Sequence, residues 1–341
     1  MSATAGESLV HVMKLGDAAV AQAVCGPLHR NLAIIQEAFR DRTASRSQPT
    51  YRVQVDAQGS DIVLNAAPGA EEDLKRAVKI VETVVEQARL KGRIREGDVL
   101  AAVRFSEASE GEIPDAGKYG RGLPQLGGLT LRTPKQLHYV EALRDESLDL
   151  IFGVGPAGTG KTFLAVATAV EAMRQERVDR IVVTRPAVEA GEKLGYLPGD
   201  LAEKVDPYLQ PIWDAFRSQM GETDLRNRRE RRQIEVAPLA FMRGRTLSNA
   251  FVIVDEAQNA TRLQMKMVLT RLGEGSRMVV TGDPSQSDLP RAELSGLAHA
   301  LGILGGLPGV EVVRFATQDV VRHRIVARIL EAYERDEDGP A

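Results

Sequence analysis

The residue types with the clearest chemistry are glycines, a lysine and a threonine, which follow one another between positions 155 and 162 as Gly-x-x-x-x-Gly-Lys-Thr. Glycines allow a backbone to curl so that its N–H groups point at phosphate oxygens, and a helix that begins there adds its positive end. In such a turn the lysine reaches the β- and γ-phosphates and the threonine hydroxyl holds Mg²⁺. A chance glycine-rich loop is the alternative, but apolar residues before the turn and a helical pattern after it supply the required strand and helix. We therefore predict a phosphate cradle that consists of Gly155, Pro156, Ala157, Gly158, Thr159, Gly160, Lys161 and Thr162.

Two neighbouring acids, Asp255 and Glu256, follow an apolar stretch at residues 251–254. At the end of a strand, the first could hold Mg²⁺ through a water molecule, and the second could orient and deprotonate an attacking water. Paired acids after a strand are also often only a helix cap. Because these acids come about 95 residues after the phosphate cradle, on a strand of their own, we favour the catalytic interpretation, with Thr162 and Asp255 as metal ligands.

Two glutamines are further candidates. Gln286 follows another apolar stretch through Gly-Asp-Pro-Ser, and at the carboxyl edge of a sheet its amide could sense a γ-phosphate. The alternative for that segment is a surface turn, which its composition also favours. Gln136, in the helix before the cradle, has donor and acceptor groups that suit the edge of adenine. We therefore predict ATP as the nucleotide, since no Asn-Lys-x-Asp guanine reader is present.

Short apolar stretches alternate with helical patterns in the second half of the chain. The predicted strands are residues 150–154, 181–184, 251–254 and 278–281, and the predicted helices begin near Gly160, Leu201 and Thr261. A further helix is expected before the cradle, capped by Thr133 with Pro134 in its first turn. Short buried strands separated by helices are typical of a parallel sheet that is covered on both faces. We predict an α/β domain over residues 131–333.

The N-terminal part shows a different order of elements. Helical spacing over residues 26–42, a hairpin centred on residues 58–61 and a helix over 71–91 predict a small α+β domain at 26–105 with the order α-β-β-α. Such a unit suggests a nucleic-acid-binding module of the KH type, whose Gly-x-x-Gly loop clamps a backbone. Here Gly26-Pro27-Leu28-His29 has only one glycine. A docking domain with a solvated basic face is the alternative. The basic residues are His29, Arg30, Arg40, Arg42, Arg46 and Arg52.

Three segments carry little periodicity. Residues 1–25 are predicted to form an N-terminal arm or an edge element, and residues 334–341 an acidic tail. Residues 106–130 are rich in glycine and are predicted to be a linker, which either tracks a nucleic-acid backbone or lets two domains move.

Composition excludes several classes of protein. Because the formal net charge is −3, any surface that binds nucleic acid must be a local patch of basic residues. The single cysteine, Cys25, excludes an intramolecular disulfide framework and a zinc site made of cysteines. No apolar run approaches the roughly 20 residues of a membrane helix, and no signal peptide is recognisable. We expect a cytoplasmic protein that does not contact a membrane.

The motifs described so far, taken in order, resemble the ATPase half of superfamily 1 helicases, and more closely the PhoH-like family of bacterial ATPases. The motifs that carry this resemblance are residues 133–136, 155–162, 255–258 and 282–286. Further stretches similar to that family are residues 184–192, 194–201, 247–251 and 319–323. The similarity is dense from about 130 to 330 and looser over 20–105.

The resemblance implies a RecA-like P-loop NTPase fold that binds and hydrolyses ATP with Mg²⁺ and is connected with RNA metabolism. It also implies a ring of identical subunits, such as a hexamer, in which an arginine from one subunit completes the site of the next. Our candidates for this arginine are Arg271 and Arg322. Arg185 begins a loop that contacts nucleic acid in related motors. Too little chain follows Asp283 for the second motor domain of a complete helicase.

Another class of function is also compatible with these motifs. An ATP-dependent regulatory module could recruit an endoribonuclease or another RNA-processing partner without acting as a motor. No clustered acids of a nuclease site are visible, so RNA cleavage would require such a partner. A small-molecule kinase is a more distant alternative, because no lid or acceptor site is recognisable.

Overall fold

The computed structural model describes residues 9–41, 43, 49–108, 122–186, 201–289, 295–321, 325, 326 and 329, with backbone only for 201–208. The chain divides into two units, residues 1–137 and 138–341. None of the helices in the described residues combines the length and the apolarity that a bilayer crossing requires.

The first unit is an antiparallel sheet packed against helices. Its elements are β1 (Leu9–Lys14), α1 (Ala18–Cys25), α2 (Arg30–Glu37), β2 (Val53–Gln58), β3 (Asp61–Ala66), α3 (Glu71–Lys91), α4 (Glu96–Glu107), β4 (Gln125–Leu126) and β5 (Leu129–Thr130). The strand order is β1-β3-β2. Val53 and Val55 are buried between exposed neighbours, and this alternation directs one face of the hairpin into the core.

The predicted α-β-β-α order is present as α2-β2-β3-α3, and the structure adds two elements before it. Residues 1–8 lie outside the described residues, but Leu9–Lys14 is an edge strand and α1 packs in the same core, so most of this stretch is not a frayed arm. Leu9, Val10 and Val12 of β1 are largely exposed, which explains why the stretch lacks the alternation of a half-buried strand.

The predicted linker also contains secondary structure. Residues 109–121 lie outside the described residues, whereas 125–130 form the hairpin β4-β5. Gly127 and Gly128 have φ values of 54° and 84°, which a two-residue hairpin turn requires. Leu126 is fully buried and anchors this hairpin.

The second unit is a parallel sheet with helices between its strands. Helix α5 (Pro134–Arg144) begins at the end of the first unit. The elements that follow are β6 (Leu150–Val154), α6 (Lys161–Arg174), β7 (Arg180–Arg185), α7 (Leu201–Glu230), β8 (Ile234–Pro238), β9 (Ala250–Val254), α8 (Arg262–Leu269), β10 (Arg277–Gly282), α9 (Gly296–Leu304) and β11 (Val310–Arg314). Among the described residues the strand order is β11-β6-β10-β9-β7-β8, and every pairing is parallel.

This sheet confirms the predicted α/β architecture of a P-loop NTPase. The four predicted strands are β6, β7, β9 and β10, which lie in the middle of the sheet, and every residue of β9 is buried. The sequence analysis missed β8 and β11 because both are edge strands with partly exposed residues. Since parallel strands end at the same edge, the segments after β6, β7, β9 and β10 meet there.

Candidate active site

The turn after β6 adopts a conformation that requires glycine. Gly155 has a φ of 133°, and a Cβ there would collide with the carbonyl oxygen of Phe315. Gly158 and Gly160 have φ values of 84° and 89°, and α6 begins directly afterwards. The N–H of Gly155 donates to the carbonyl of Gly282 at 3.1 Å, so the turn is attached to the end of β10. The predicted cradle thus has the strand–turn–helix context that phosphate binding needs.

Lys161 lies folded back on this turn. Its Nζ donates to the carbonyl oxygens of Gly155 at 2.6 Å and Pro156 at 2.8 Å, and only 8% of the residue is exposed. Burial lowers the pKa of Lys161 below its ordinary value, and the carboxylates of Asp283 and Glu256 partly offset that shift. A buried ammonium that binds only weak neutral acceptors is well placed to exchange them for phosphate oxygens.

Thr162 and Asp255 meet across the sheet edge. The Thr162 hydroxyl donates to Oδ1 of Asp255 at 2.6 Å, and Thr281 donates to the same oxygen at 2.7 Å. Asp255 is only 4% exposed. Mg²⁺ prefers oxygen ligands, and the Thr162 hydroxyl and the Asp255 carboxylate are oxygen donors that lie within hydrogen-bond distance of each other. The residues present therefore fit a Mg²⁺ ion, and phosphate and water oxygens would complete its coordination shell.

Glu256 is held in an unusual backbone conformation. Its φ and ψ are 51° and 41°, in the left-handed region that bulky residues rarely occupy. Its Oε2 accepts from Gln258 Nε2 at 2.6 Å, and its Oε1 lies 3.4 Å from Nη2 of Arg185. Both carboxylate oxygens are thus directed by neighbours, in a conformation that such residues often show at functional sites.

A chain of hydrogen bonds extends from Glu256 to Gln286. Gln258 is 4% exposed, and its Oε1 accepts from the N–H of Asp283 at 3.1 Å. Oδ2 of Asp283 accepts in turn from Gln286 Nε2 at 2.7 Å. Gln286 therefore lies at the predicted sheet edge with its amide bound to Asp283, and its role as a phosphate sensor stays a prediction.

Three other candidates have no contact with this turn that the structure describes within the second unit. Gln136 belongs to the first unit, where its Oε1 accepts from the N–H of Arg132 at 2.8 Å. Arg271 follows α8, and its guanidinium donates to the carbonyls of Met267 and Arg245, at the amino-terminal edge of the sheet. Arg322 lies outside the described residues. The roles of these three residues stay predictions.

The sequence analysis missed Tyr139, which lies beneath the turn. Its ring packs against Gly153 and edge-on to Phe315, with ring centres 5.4 Å apart. The residue is fully buried, burial raises the pKa of its phenol, and its hydroxyl has no hydrogen-bond partner among the described residues. The available signal was Gly153, because a glycine inside a strand often marks a close approach by another group.

Known proteins share these motifs. The family model described as PhoH-like protein matches residues 128–334. A PhoH-like protein of Bacillus subtilis (strain 168) is 47% identical over 269 residues, which cover 78% of this chain and 84% of that protein. A PhoH-like protein of Synechocystis sp. is 56% identical over 207 residues, covering 61% and 62%. Protein PhoH of Escherichia coli (strain K12) is 49% identical over 204 residues, covering 59% and 57%, so this chain matches less than two thirds of the last two relatives.

A solved structure, the Pif1 helicase from Candida albicans, is 12% identical and covers 59% of this chain and 43% of that chain with a TM-score of 0.30. That TM-score is too low to support a conclusion about fold or function. The family match, by contrast, covers more than half of this chain and includes the phosphate-binding turn, both acids and Gln286. This chain therefore belongs to the PhoH-like protein family.

Proposed function

We propose that this protein hydrolyses ATP in a Mg²⁺-dependent reaction that is coupled to RNA, and that it works as a ring of identical subunits such as a hexamer. The observation that carries the hydrolysis part is the 2.6 Å hydrogen bond between Thr162 and Asp255. It joins the phosphate-binding turn to the strand that carries the catalytic acids, which is the arrangement that a nucleotide-bound Mg²⁺ needs.

The buried lysine and the turn would bind the phosphates. Lys161 gives up its hydrogen bonds to Gly155 and Pro156 and donates to phosphate oxygens, so one set of contacts replaces another. Thr162 and Asp255 would hold Mg²⁺, and the ion supplies charge neutralisation between the β- and γ-phosphates when it is bound. The turn itself offers backbone N–H groups at the start of α6.

Glu256 would act on the attacking water. The water oxygen forms a bond to the γ-phosphorus while the bond from that phosphorus to the β–γ bridging oxygen breaks, and the water's proton passes to the Glu256 carboxylate. The products are ADP and inorganic phosphate. Gln258 and Arg185 would act as positioning residues, since each contacts one oxygen of that carboxylate.

The RNA and ring parts of the proposal rest on two arginines. Arg185 ends β7 and begins a segment, residues 187–200, that lies outside the described residues and that the family resemblance assigns to nucleic-acid contact. A ligand that moves Arg185 would also release Glu256. Arg271 lies at the opposite sheet edge from its own phosphate turn, so it could complete only the site of another subunit. We also propose an endoribonuclease as a protein partner and the cytoplasm as the location.

Steady-state ATP hydrolysis with and without single-stranded RNA tests the proposal. Lys161→Ala and Glu256→Gln should each lower the rate by about 100-fold or more, because each removes a group that acts on the transferring phosphate. The matched controls, Lys266→Ala and Glu274→Gln, alter exposed residues of the same unit and should leave the rate within about twofold. RNA should raise the rate of the wild-type protein, and light scattering should detect a ring.

Three results would contradict the proposal. Hydrolysis that survives in both variants would show that the site is misassigned. Hydrolysis that is indifferent to RNA would remove the coupling and favour a module that recruits a nuclease. A monomer at all concentrations, with or without nucleotide, would exclude the ring.

A further inference from the structure

The turn between α1 and α2 has a rare backbone conformation. It consists of residues 26–29, Gly-Pro-Leu-His, which we call the helix-joining turn. Gly26 has a φ of 67°, and Leu28 and His29 follow at 51° and 56°. Two successive residues with side chains in the left-handed region cost about 1–2 kcal/mol each. The side chain of Leu28 is completely exposed, so burial of that residue does not offset this cost.

A buried asparagine holds this turn in place. Asn31 is 4% exposed, and its Nδ2 donates to the carbonyl of Ala23 at 3.2 Å, which ties the start of α2 to α1. A Cβ at Gly26 would lie 2.7 Å from the same nitrogen, so only glycine fits beneath Asn31. The N–H of His29 donates to the carbonyl of Gly26 at 3.2 Å. The strain is therefore maintained by packing, as at many ligand-binding sites.

The helix-joining turn forms one end of a groove of about 1260 Å³. The other walls are α1, the turn between β2 and β3 at Gly59 and Ser60, and residues 92–96. Several alanines of α1 line the groove and leave it wide. Its volume is above the roughly 300–1000 Å³ of small-molecule pockets, which suits a ligand that extends through it.

The charges around the groove favour an anionic ligand. Its lining contains Arg30, Arg93, Arg95 and His29, and the arginines outnumber the acid Glu96. Glu96 lies 3.0 Å from Arg30 and offsets part of that charge, while Arg93 and Arg95 are exposed. The first turn of α2 has no side-chain cap, so the positive end of this helix also lies beside the turn. This local charge contrasts with the net charge of −3 of the whole chain.

We propose that this groove binds single-stranded RNA, with phosphates against the helix-joining turn and the exposed arginines and with bases against the alanines of α1. The proposal rests on the proposed RNA-linked function and adds where the strand binds. Glycine is absent from the last position of the Gly-x-x-Gly pattern, but His29 adopts the left-handed conformation that glycine normally supplies. Unpaired bases can lie flat in a groove of this kind, whereas a duplex hides its base edges.

Fluorescence anisotropy of the full-length protein with a labelled single-stranded RNA of about 12 nucleotides tests the groove. The double variant Leu28→Asp/His29→Asp places two negative charges in the turn, and aspartate tolerates the left-handed region, so the fold should persist. The control Lys75→Gln/Lys79→Gln changes the net charge by the same amount on exposed positions of α3 that do not line the groove. The turn variant should bind RNA at least about tenfold more weakly, and the control should bind like the wild-type protein.

A second variant measures the phosphate contacts directly. Arg93→Gln/Arg95→Gln removes two charges from the groove and should reduce the slope of log affinity against log salt by about 1.4, at about 0.7 for each phosphate contact on a single strand. Photo-crosslinked peptides should include residues 26–31 and 92–96.

Basal ATP hydrolysis, measured without RNA in the same preparations, separates this proposal from the proposed function. RNA binding that is lost in the turn variant supports the groove, even if no preparation hydrolyses ATP. Wild-type binding that persists unchanged in the turn variant and in the arginine variant would overturn it. Equal loss in the turn variant and in its charge-matched control would also overturn it, as would a wild-type protein that binds no RNA. Dimerisation through the groove, revealed by a monomer in the turn variant alone, would assign the surface to a second copy.

Discussion

Two turns of this chain precede a helix and place their backbone in the left-handed region, yet they differ in how they meet that requirement. The turn after β6 uses glycines at each such position and is followed by Lys161, Thr162 and a network of buried acids. The helix-joining turn uses one glycine and then Leu28 and His29, and the charged residues that line the groove beside it include Arg30 and Glu96. The turn after β6 therefore combines a left-handed backbone with residues that could act on a phosphate. The helix-joining turn combines such a backbone only with charged neighbours.

The difference between the two turns suggests that one serves catalysis and the other binding. Both turns lie at the start of a helix, whose positive end suits phosphate. Only the turn after β6 lies beside a carboxylate that can hold a metal and another that can accept a proton. We therefore propose hydrolysis for the second unit and strand binding for the first, and the two proposals can be tested separately.

The largest expected effect is from Gly155→Ala. The new Cβ would collide with the backbone of Phe315 at a φ of 133°, so we expect the free energy of unfolding of the second unit to fall by about 4 kcal/mol. Urea unfolding followed by fluorescence of Trp213, the single tryptophan of the chain, measures this change. The control is Gly302→Ala in α9, where nothing lies within 4 Å and alanine should stabilise the protein. Equal small effects at both positions would contradict the assigned packing of the turn.

Asp255→Asn should lower ATP hydrolysis by about 100-fold, which corresponds to about 2.7 kcal/mol in the activation free energy. The amide oxygen can still accept from Thr162 and Thr281, so the fold should persist while the charge that would hold Mg²⁺ is lost. Titration with Mg²⁺ should show a weaker apparent affinity for the metal. Asp149→Asn, on an exposed residue at the amino end of β6, is the matched control. RNA binding should be unchanged, and a parallel loss of RNA affinity would show that one site serves both purposes.

Gly26→Ala should destabilise the helix-joining turn by about 2 kcal/mol, because it combines left-handed strain with a contact of 2.7 Å to Asn31. Hydrogen exchange of peptides from α1 and α2 measures the local effect. Gly69→Ala has the same strain without any neighbour within 4 Å, so the difference between the variants isolates the Asn31 contact. No difference between them would mean that Asn31 does not hold the turn.

The smallest effect is expected from His29→Gly. Glycine adopts a φ of 56° without strain, so the first unit should become more stable by about 0.5–1 kcal/mol. The same hydrogen-exchange measurement detects this gain, and RNA affinity should fall only modestly because the turn keeps its shape. Glu176→Gly, at another left-handed position in the second unit, is a comparable substitution remote from the groove. Destabilisation by His29→Gly would show that the imidazole makes a contact that outweighs the strain.

The sequence predicted the central sheet well, because strands buried on both faces are nearly continuous apolar runs. Residues 150–154 and 251–254, for example, coincide with β6 and with β9 to within a residue. The sequence did not predict strands at the edges of the sheet, whose residues are only partly buried. β8 and β11 are edge strands of mixed exposure, so their patterns do not differ enough from those of loops.

The site shows a similar division. The strand, turn and helix around residues 155–162 and the position of Asp255 directly after β9 could be predicted, because each depends on local spacing. The pairing of Arg185 with Glu256 could not, since it joins the ends of two strands that are about 70 residues apart in sequence. The role of Gln258 between Glu256 and Asp283 likewise depends on how β9 and β10 are aligned. The fold brings such residues together without leaving a spacing that can be recognised in advance.

The position of β6 has a consequence for how the protein is made. Its two neighbours in the sheet are β10 and β11, which follow it by more than a hundred residues, and the N–H of Val321 donates to the carbonyl of Gly158 in the turn. A nascent chain therefore carries the complete turn long before either flanking strand has left the ribosome. Because such long-range contacts form late, nucleotide binding should mark the end of synthesis of this unit. ATP could then act as a late folding ligand that stabilises only chains that have been completed through β11.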